Sequence, residues 1–451
     1  MGSVVRRSVF LTGATGFLGK VVLFELLRRS EELAIDRVRV LVRSKRGEGG
    51  AARFRRKVLS SPCLAALAPG LERKIEVVEG DLERPRFGIS AEAWKAASDD
   101  TTEVIHCAAS IDFHRPVAEA ERANVEAALR ALDFARAAGA RRCVSVSTAY
   151  VTPHPARPVP VRERLAPLPV PASRLRREIR AGRYDSPRAE AALLRRTGHP
   201  NTYTLTKCLA EHLLAQASHD LPLTIVRPSI ISASLRRPFP GWIDSPAAFA
   251  LLAMMIATGR LRALMGRPDA RIDVIPVDSV AERVVDAATS PQSAASPGIA
   301  SIRHAVAGIA RSPRIDLCVA RIERYFQQHR PPGAEPAGAR VHYIGPDGIR
   351  YRLWHGWKHR GSGGLARQIL KTGRRFDYFT SRTFDFQSSV PLREPGFAVE
   401  RYLDQICGGI DRHLFGAERN AVPTRSAPSA RCEETGRDGQ HACQGEGIAH
   451  A

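Results

Sequence analysis

A tyrosine and a lysine four residues apart, Tyr203 and Lys207, form the pair in this sequence best suited to proton transfer. On a helix this spacing places both side chains on one face. A neighbouring ammonium stabilises a phenolate, so we expect Lys207 to lower the pKa of Tyr203 from its usual value of about 10. Such a phenol can give or take a proton near neutral pH. The same pair is common among solvated helix neighbours, so its meaning depends on the motifs around it.

Hydroxyl groups follow a predicted strand upstream of this pair. The strand Cys143 to Ser147 runs into Thr148, Ala149 and Tyr150. Ligands of open α/β folds bind at the carboxyl ends of the strands. We therefore expect Thr148, with Ser147 as the second candidate, to complete a catalytic group with Tyr203 and Lys207.

Three glycines near the N-terminus follow an apolar strand and open a helix, in the spacing Gly-x-x-Gly-x-x-Gly. Glycine lets the backbone approach a pyrophosphate, whose charge is met by the N-terminus of the helix. In this strand-to-helix context the string predicts a dinucleotide site. The residues assigned to the loop are Thr12, Gly13, Thr15, Gly16, Phe17, Leu18 and Gly19.

The end of the second predicted strand, Val38 to Val42, is basic. It continues as Arg43-Ser44-Lys45-Arg46, where a fold that prefers NAD usually carries an acidic residue for the ribose hydroxyls. Guanidinium groups pair well with a 2′-phosphate. The sequence therefore predicts NADPH, with Arg43 as the first contact and Lys45 or Arg46 as helpers; the alternative is a solvated basic turn.

Two more strand ends are assigned to the same pocket. Asp81 and Leu82 are suited to the adenine edge, and the small residues Ala108, Ala109 and Ser110 would admit the ribose and nicotinamide. Tyr203 and Lys207 would also contact the nicotinamide ribose. Either segment could instead serve packing alone.

Strand-like and helical segments alternate through the first half of the chain, which predicts a doubly wound parallel sheet of the α/β class. We assign residues 1–290 to this Rossmann domain, with substrate-binding insertions at about 152–200 and 235–270. A linker at 291–298 would lead to a smaller, mostly helical domain at 299–416. The polar stretch 417–451 is expected to be disordered.

Composition adds weaker evidence. The formal net charge of +22 favours polyanionic ligands, although an arginine-rich composition can also reflect nucleotide bias in a genome. Eight cysteines without a Cys-x-x-Cys pair indicate a reduced intracellular protein without a metal site. No secretory signal is recognisable, and the longest apolar run, Ala247–Thr258, is shorter than the ~20 residues that span a bilayer. We expect a cytoplasmic protein that could also contact an anionic membrane peripherally. We expect no nucleic-acid partner.

Taken together, residues 8–285 resemble the extended short-chain dehydrogenases. Within them the chain is most similar to the fatty acyl-CoA reductases, or male-sterility-type proteins, in the strings Phe10–Lys20, His199–Lys207 and Pro238–Asp244. Residues 225–231 and 273–278 share this similarity, and residues 376–386 resemble the start of the small C-terminal domain of that family. The resemblance also assigns Pro228, Ser229 and Ile230 to the cofactor.

This resemblance implies NADPH-dependent reduction of a fatty acyl-CoA, or of an acyl group on a carrier protein, to an aldehyde, an alcohol or both. Basic loops at 157–183 could meet coenzyme A phosphates and Phe249–Ile256 could line an acyl channel, with solvated loops and a core helix as the alternatives. A sugar-nucleotide epimerase and a 3β-hydroxysteroid dehydrogenase share the same chemistry, and the Pro-Gly-Trp-Ile-Asp string argues against both. A catalytically silent NADP-binding regulator or scaffold is the alternative of another class.

Overall fold

The computed structural model describes residues 6–154, 159–290, 298–334, 340–344, 376–392, 394 and 397–416. Its strands are β1 Arg7–Thr12, β2 Ile35–Val42, β3 Ile75–Glu79, β4 Glu103–His106, β5 Arg142–Val146, β6 Leu223–Pro228, β7 Ile230–Ser232, β8 Ala263–Met265, β9 Val274–Pro276, β10 Ser301–Ala305 and β11 His342–Ile344. Seven of them form one parallel sheet in the order β10, β6, β5, β4, β1, β2, β3. Two small parallel sheets pair β7 with β9 and β8 with β11. The predicted doubly wound parallel sheet is confirmed.

The central strand β1 explains why the sheet is covered on both faces. Val9 and Leu11 are fully buried in one core and Phe10 is fully buried in another. Because alternate residues of a strand point to opposite faces, a strand that is apolar throughout must be covered on both sides.

Helices supply the two covers and a further layer. They are α1 Phe17–Arg28, α2 Gly50–Phe54, α3 Pro62–Ala65, α4 Ala91–Ser98, α5 Val117–Glu121, α6 Ala127–Ala137, α7 Ala172–Arg180, α8 Pro187–Thr197, α9 Thr202–Ala217, α10 Phe249–Ala257, α11 Val277–Thr289, α12 Ile315–Gln328 and α13 Val399–Gly409. α1 and α11 pack on the face of Val9 and Leu11, whereas α4, α6 and α9 pack on the face of Phe10.

A second core lies beyond the sheet and is mostly helical. α10, α12 and α13 meet in it, together with residues of β7, β8 and β9. Phe249, Leu252 and Ala253 of α10 are at most 2% exposed there. The structure therefore favours the core-helix alternative for the apolar run that was also considered as an acyl channel. No helix in the described part of the chain is long and apolar enough to cross a membrane.

The predicted boundary at residue 290 needs a correction. β10, which lies beyond it, pairs with β6 and completes the main sheet, so the first domain cannot end before residue 305. The linker residues 291–297 and the tail 417–451 lie outside the described residues. The first insertion also contains a helix within the segment 157–183 that was predicted as basic loops, because α7 begins at Ala172.

The loop 233–244 carries the Pro-Gly-Trp-Ile-Asp string and is held from one side by α13. Tyr402 and Gln405 of this helix donate hydrogen bonds of 2.7 to 2.8 Å to backbone carbonyls of the loop. Gly409 approaches Gly241 so closely that a Cβ atom on Gly409 would lie 2.0 Å from the Gly241 carbonyl oxygen. The C-terminal helix is therefore fitted directly onto this loop.

On its other side the same loop packs on α1. The rings of Trp242 and Phe17 lie 5.2 Å apart between centroids, and Lys20 forms an ion pair with Asp244. Trp242 is 1% exposed, so the contact is part of the core. α13, the loop and the glycine-motif helix thus form one continuous stack.

Two adjacent glycines of α13 provide a matched test of this stack. Alanine is favoured over glycine within helices by up to about 1 kcal/mol. At Gly408 a Cβ atom would meet only Tyr325, at 3.5 Å, so we expect Gly408→Ala to preserve or raise stability. Gly409→Ala should instead lower the free energy of unfolding by about 1–3 kcal/mol, because the added methyl overpacks against the loop. Urea unfolding of both variants measures the difference, and equal stabilities would contradict the close approach.

Candidate active site

The face of α9 that looks onto the sheet carries three ionisable side chains one turn apart, Tyr203, Lys207 and Glu211. The helix begins after Asn201, whose side chain accepts a hydrogen bond from Thr204 N at 2.9 Å, as expected of an N-cap. The ammonium of Lys207 donates to the Val146 carbonyl at the end of β5, at 2.8 Å. These contacts orient the helix so that Tyr203 reaches the carboxyl edge of the sheet.

A buried ion pair fixes the helix one turn further on. Arg227 of β6 donates two hydrogen bonds to Glu211, of 2.9 and 2.5 Å, and both side chains are at most 2% exposed. Bidentate guanidinium–carboxylate pairing is strong and directional. α9 is therefore tied to β5 through Lys207 and to β6 through Glu211.

Thr148 and Tyr203 meet at this edge, as the sequence predicts. Burial raises the pKa of the Tyr203 phenol to about 12, and a hydrogen bond with the Thr148 side chain opposes part of that rise. Ser147 lies beside them with its hydroxyl buried and without a hydrogen-bond partner among the described residues. Tyr203 itself is partly exposed, so a substrate can reach it.

The expected direction of the tyrosine pKa is wrong. The sequence argument has Lys207 lowering it, whereas burial raises it and keeps the phenol protonated. Burial also lowers the pKa of Lys207 to about 8, although Cys107 and Glu211 act in the opposite direction. The site therefore holds a neutral phenol beside a lysine whose pKa is lowered to about 8.

The glycine loop lies against the end of β4, next to this group. Gly13 has φ +82°, and a Cβ atom there would lie 2.6 Å from Ala108 N. A Cβ atom on Gly19 would lie 2.1 Å from the Gly13 carbonyl oxygen. Gly16 is at the exposed tip and begins α1 without a side-chain cap among the described residues, which leaves backbone N–H groups for an anion. A side-chain-free cradle at an uncapped helix N-terminus fits a dinucleotide.

The loop after β4 closes the space between the glycines and α9. Thr12 Oγ1 lies 2.9 Å from His106 Nδ1 and accepts a weak hydrogen bond from Ala108 N at 3.4 Å. Asn124 accepts a hydrogen bond from Ser110 N at 2.8 Å and donates to Thr206 of α9 at 3.1 Å. Ala108, Ala109 and Ser110 remain at least partly exposed, in keeping with a ligand-lining role.

A family model described as a male sterility protein matches residues 11–284, which include all of these residues. The chain belongs to this family. Fatty acyl-CoA reductase 1 of Homo sapiens is 34% identical over 287 residues, which cover 62% of this chain and 54% of that protein. Fatty acyl-CoA reductase 2 of Mus musculus is 33% identical over 279 residues, 61% of this chain and 53% of that protein. The resemblance drawn from the sequence is confirmed, and the chain spans about half the length of these curated relatives.

The fold of this male sterility family member is shared over most of its length. The terminal R domain of the myxalamid PKS-NRPS pathway superposes with a TM-score of 0.65 at 22% identity, covering 91% of this chain and 92% of that one. At this identity the likeness shows the fold alone. It extends past the matched family model, in agreement with a sheet that is completed by β10.

Near the end of β2 the structure adds a cation that the sequence argument missed. Arg43 is exposed and lies 3.5 Å from Glu83, and Lys45 and Arg46 are exposed in a turn. Arg53 of α2 reaches back to donate to the Arg43 carbonyl at 3.1 Å and to Thr15 of the glycine loop at 3.3 Å. Burial, and then repulsion from Arg43, lower the pKa of Arg53.

Other predicted contacts prove to be partly structural. Asp81 accepts a hydrogen bond from Glu83 N at 3.0 Å, and the Leu82 carbonyl accepts one from Arg130 at 2.9 Å, so both shape a turn beside the pocket. Ser229 donates to the buried Asp273 at 2.5 Å. Its neighbours Pro228 and Ile230 end β6 and begin β7.

Asn124 and Arg53 could not be recognised as site residues by a motif. Each lies on a helix without a recognisable motif, and each forms a hydrogen bond with a residue that is distant in the chain. Among the described residues, no group of three or more histidine, cysteine, aspartate or glutamate side chains is arranged to hold a metal ion.

Proposed function

We propose that this protein reduces a fatty acyl thioester with NADPH. The observation that carries the proposal is the neutral phenol of Tyr203, hydrogen-bonded to Thr148 and mounted beside a glycine cradle, in a chain of the male sterility family. The fatty acyl substrate is taken from the printed names of its relatives. Whether the donor is coenzyme A or a carrier protein, and whether the product is the aldehyde or the alcohol, remain alternatives.

A bound reduced nicotinamide would supply a hydride to the thioester carbonyl carbon. Thr148 and Tyr203 would donate hydrogen bonds to the carbonyl oxygen as negative charge develops there. Tyr203 would then give its proton, and the Lys207 ammonium would stabilise the phenolate that remains. The resulting hemithioacetal would break its C–S bond and release the thiol, which leaves the aldehyde. Ser147, with its unused hydroxyl on the same strand end, is the reserve donor.

NADPH rather than NADH is proposed from the cations at the end of β2. Arg43 and Arg53 would face a 2′-phosphate, which pairs with guanidinium groups better than the uncharged hydroxyl of an unphosphorylated ribose does. The positive charge of these side chains therefore favours the doubly charged phosphate.

The coenzyme A interface and the cellular location stay predictions. In the basic insertion, Arg176 and Arg180 of α7 are already paired with Glu121 and Glu126, so they are poor candidates for phosphate contacts. Arg174 is likewise paired with Glu178, so the exposed Arg177 of the same helix is the better candidate. Cytoplasmic location and peripheral contact with an anionic membrane rest on composition alone.

An assay of NADPH oxidation with acyl-CoA also tests two other functions. An epimerase or hydroxysteroid dehydrogenase would turn over a sugar nucleotide or a steroid and leave acyl-CoA untouched. A silent regulator would bind NADPH and oxidise it with no substrate of any of these classes.

Tyr203→Phe tests the proposed proton donor. Loss of the phenolic proton should lower the turnover of NADPH with dodecanoyl-CoA by about 10²- to 10⁴-fold, as is typical for a general acid. NADPH binding, measured by fluorescence titration, should change little because the ring is kept. Undiminished turnover would remove Tyr203 from the mechanism.

The rate should also depend on pH through Lys207. The phenol stays protonated below about pH 12, whereas the ammonium loses its charge as the pH rises through about 8. We therefore expect kcat/KM for reduction to fall above pH 8, approaching tenfold per pH unit. In Lys207→Arg, which stays charged, any remaining activity should lack this decline. A wild-type profile that is flat to pH 9.5 would contradict the assignment.

Arg53→Ala tests the choice of cofactor. Removing one charged hydrogen bond to the 2′-phosphate should raise the Kd of NADPH by about 10- to 100-fold and leave that of NADH nearly unchanged. Arg56→Ala is the matched control, because Arg56 lies one turn away and is paired with Glu48. If the two variants weaken NADPH equally, general surface charge and not a specific contact is responsible.

A further inference from the structure

Aromatic rings from two distant parts of the chain follow one another away from Tyr203. The ring of Phe113, in the loop after β4, lies 5.7 Å from that of Tyr203. Phe379, from the C-terminal half, lies 6.1 Å from Phe113 and 4.8 Å edge-on from Tyr150. Phe113 and Phe379 are only partly buried, so they form an apolar surface beside the phenol that nothing in the described chain covers completely.

The segment 110–115 holds its part of this surface rigidly. One end is fixed by Asn124, which exchanges two hydrogen bonds with the backbone of Ser110. The other end is fixed by the hydroxyl of Thr202, which donates to the Arg115 carbonyl at 2.8 Å. Between these ties Ile111 is 59% exposed. An exposed isoleucine on a segment that is fixed at both ends offers an apolar contact to a ligand.

Hydrogen bonds and ring contacts of the C-terminal half also fix the position of Phe379. Thr380 donates to the Met265 carbonyl at 2.6 Å, and its own carbonyl accepts a hydrogen bond from Arg267 N at 3.0 Å. Further along, residues 385 and 387 bond with the backbone of Val161 at 2.8 and 2.9 Å. Phe384 and Phe386 then pack edge-on against Tyr150, 5.2 and 5.3 Å away. Phe379 is therefore held in place by the hydrogen bonds and ring contacts of the residues that follow it.

From this geometry we infer that Ile111, Phe113 and Phe379 bind the alkyl chain of the substrate next to its reacting carbonyl, and that Phe379 determines the preference for chain length. The inference rests on the proposed function and names the part of the site that recognises the acyl group. Burial of aromatic and aliphatic side chains favours an alkyl chain in proportion to the apolar area covered. α10, in contrast, has its large apolar side chains in the second core.

The test compares dodecanoyl-CoA with acetyl-CoA in wild type, Phe379→Ala and Phe379→Leu. For Phe379→Ala, kcat/KM with dodecanoyl-CoA should fall about 10- to 100-fold, mostly through KM, whereas the value with acetyl-CoA should change less than about threefold. Phe379→Leu keeps an apolar side chain and should recover most of the loss. Ile309→Ala, which shortens an exposed side chain outside these ring contacts, is the control for handling and folding.

Two outcomes would overturn the inference while leaving the proposed function intact. One is an equal loss for both thioesters, which would indicate a structural role; the other is unchanged selectivity. If wild type reduces no thioester at all, the proposed function fails, and calorimetric titration of dodecanoyl-CoA still decides the inference. Weaker binding to Phe379→Ala than to wild type supports the alkyl contact, and equal binding rejects it.

Discussion

The buried ion pair between Arg227 and Glu211 is the constraint on which the site depends. It joins the carboxyl end of β6 to the middle of α9, where water cannot replace either partner. Removing one partner of such a pair leaves an uncompensated buried charge, which destabilises a fold by about 3–5 kcal/mol. Because Tyr203 and Lys207 share the helix face of Glu211, the same pair also sets their distance from the strand ends.

Two features of its environment affect the charge of Lys207 in opposite directions. Its hydrogen bond to the Val146 carbonyl favours the ammonium and helps to dock the helix. Burial disfavours the ammonium and brings the pKa to about 8. A lysine in this balance remains mainly charged near neutrality without being inert to pH, which suits a group that must respond when the neighbouring phenol ionises.

The sequence alone predicts the parts of the site that are encoded locally. The glycine spacing after β1, the hydroxyls after β5 and the Tyr203–Lys207 pair each follow from short-range rules, and all three come together in the structure. The residues that were missed act across the fold: Arg53 reaches Thr15 over 38 positions, Asn124 reaches Thr206 over 82, and Phe379 approaches Phe113 from the other half of the chain. The seventh strand was missed for a similar reason, since only its pairing with β6 reveals that β10 belongs to the sheet. The direction of the Tyr203 pKa was wrong because burial depends on packing and not on spacing along a helix.

A neutral phenol is the form that a reductase requires. Hydride addition leaves negative charge on an oxygen, and a donor that already holds its proton can neutralise it at once, whereas a phenolate would first have to be protonated. Burial supplies that form by raising the pKa of Tyr203, and the hydrogen bond with Thr148 prevents the pKa from rising further. Phe113 contributes to the same burial, because its ring packs 5.7 Å from that of Tyr203, and Phe379 extends this apolar surface through its contact with Phe113. The surface proposed to hold the alkyl chain and the environment that keeps the acid protonated are therefore one structure, and an occupying chain would strengthen both effects.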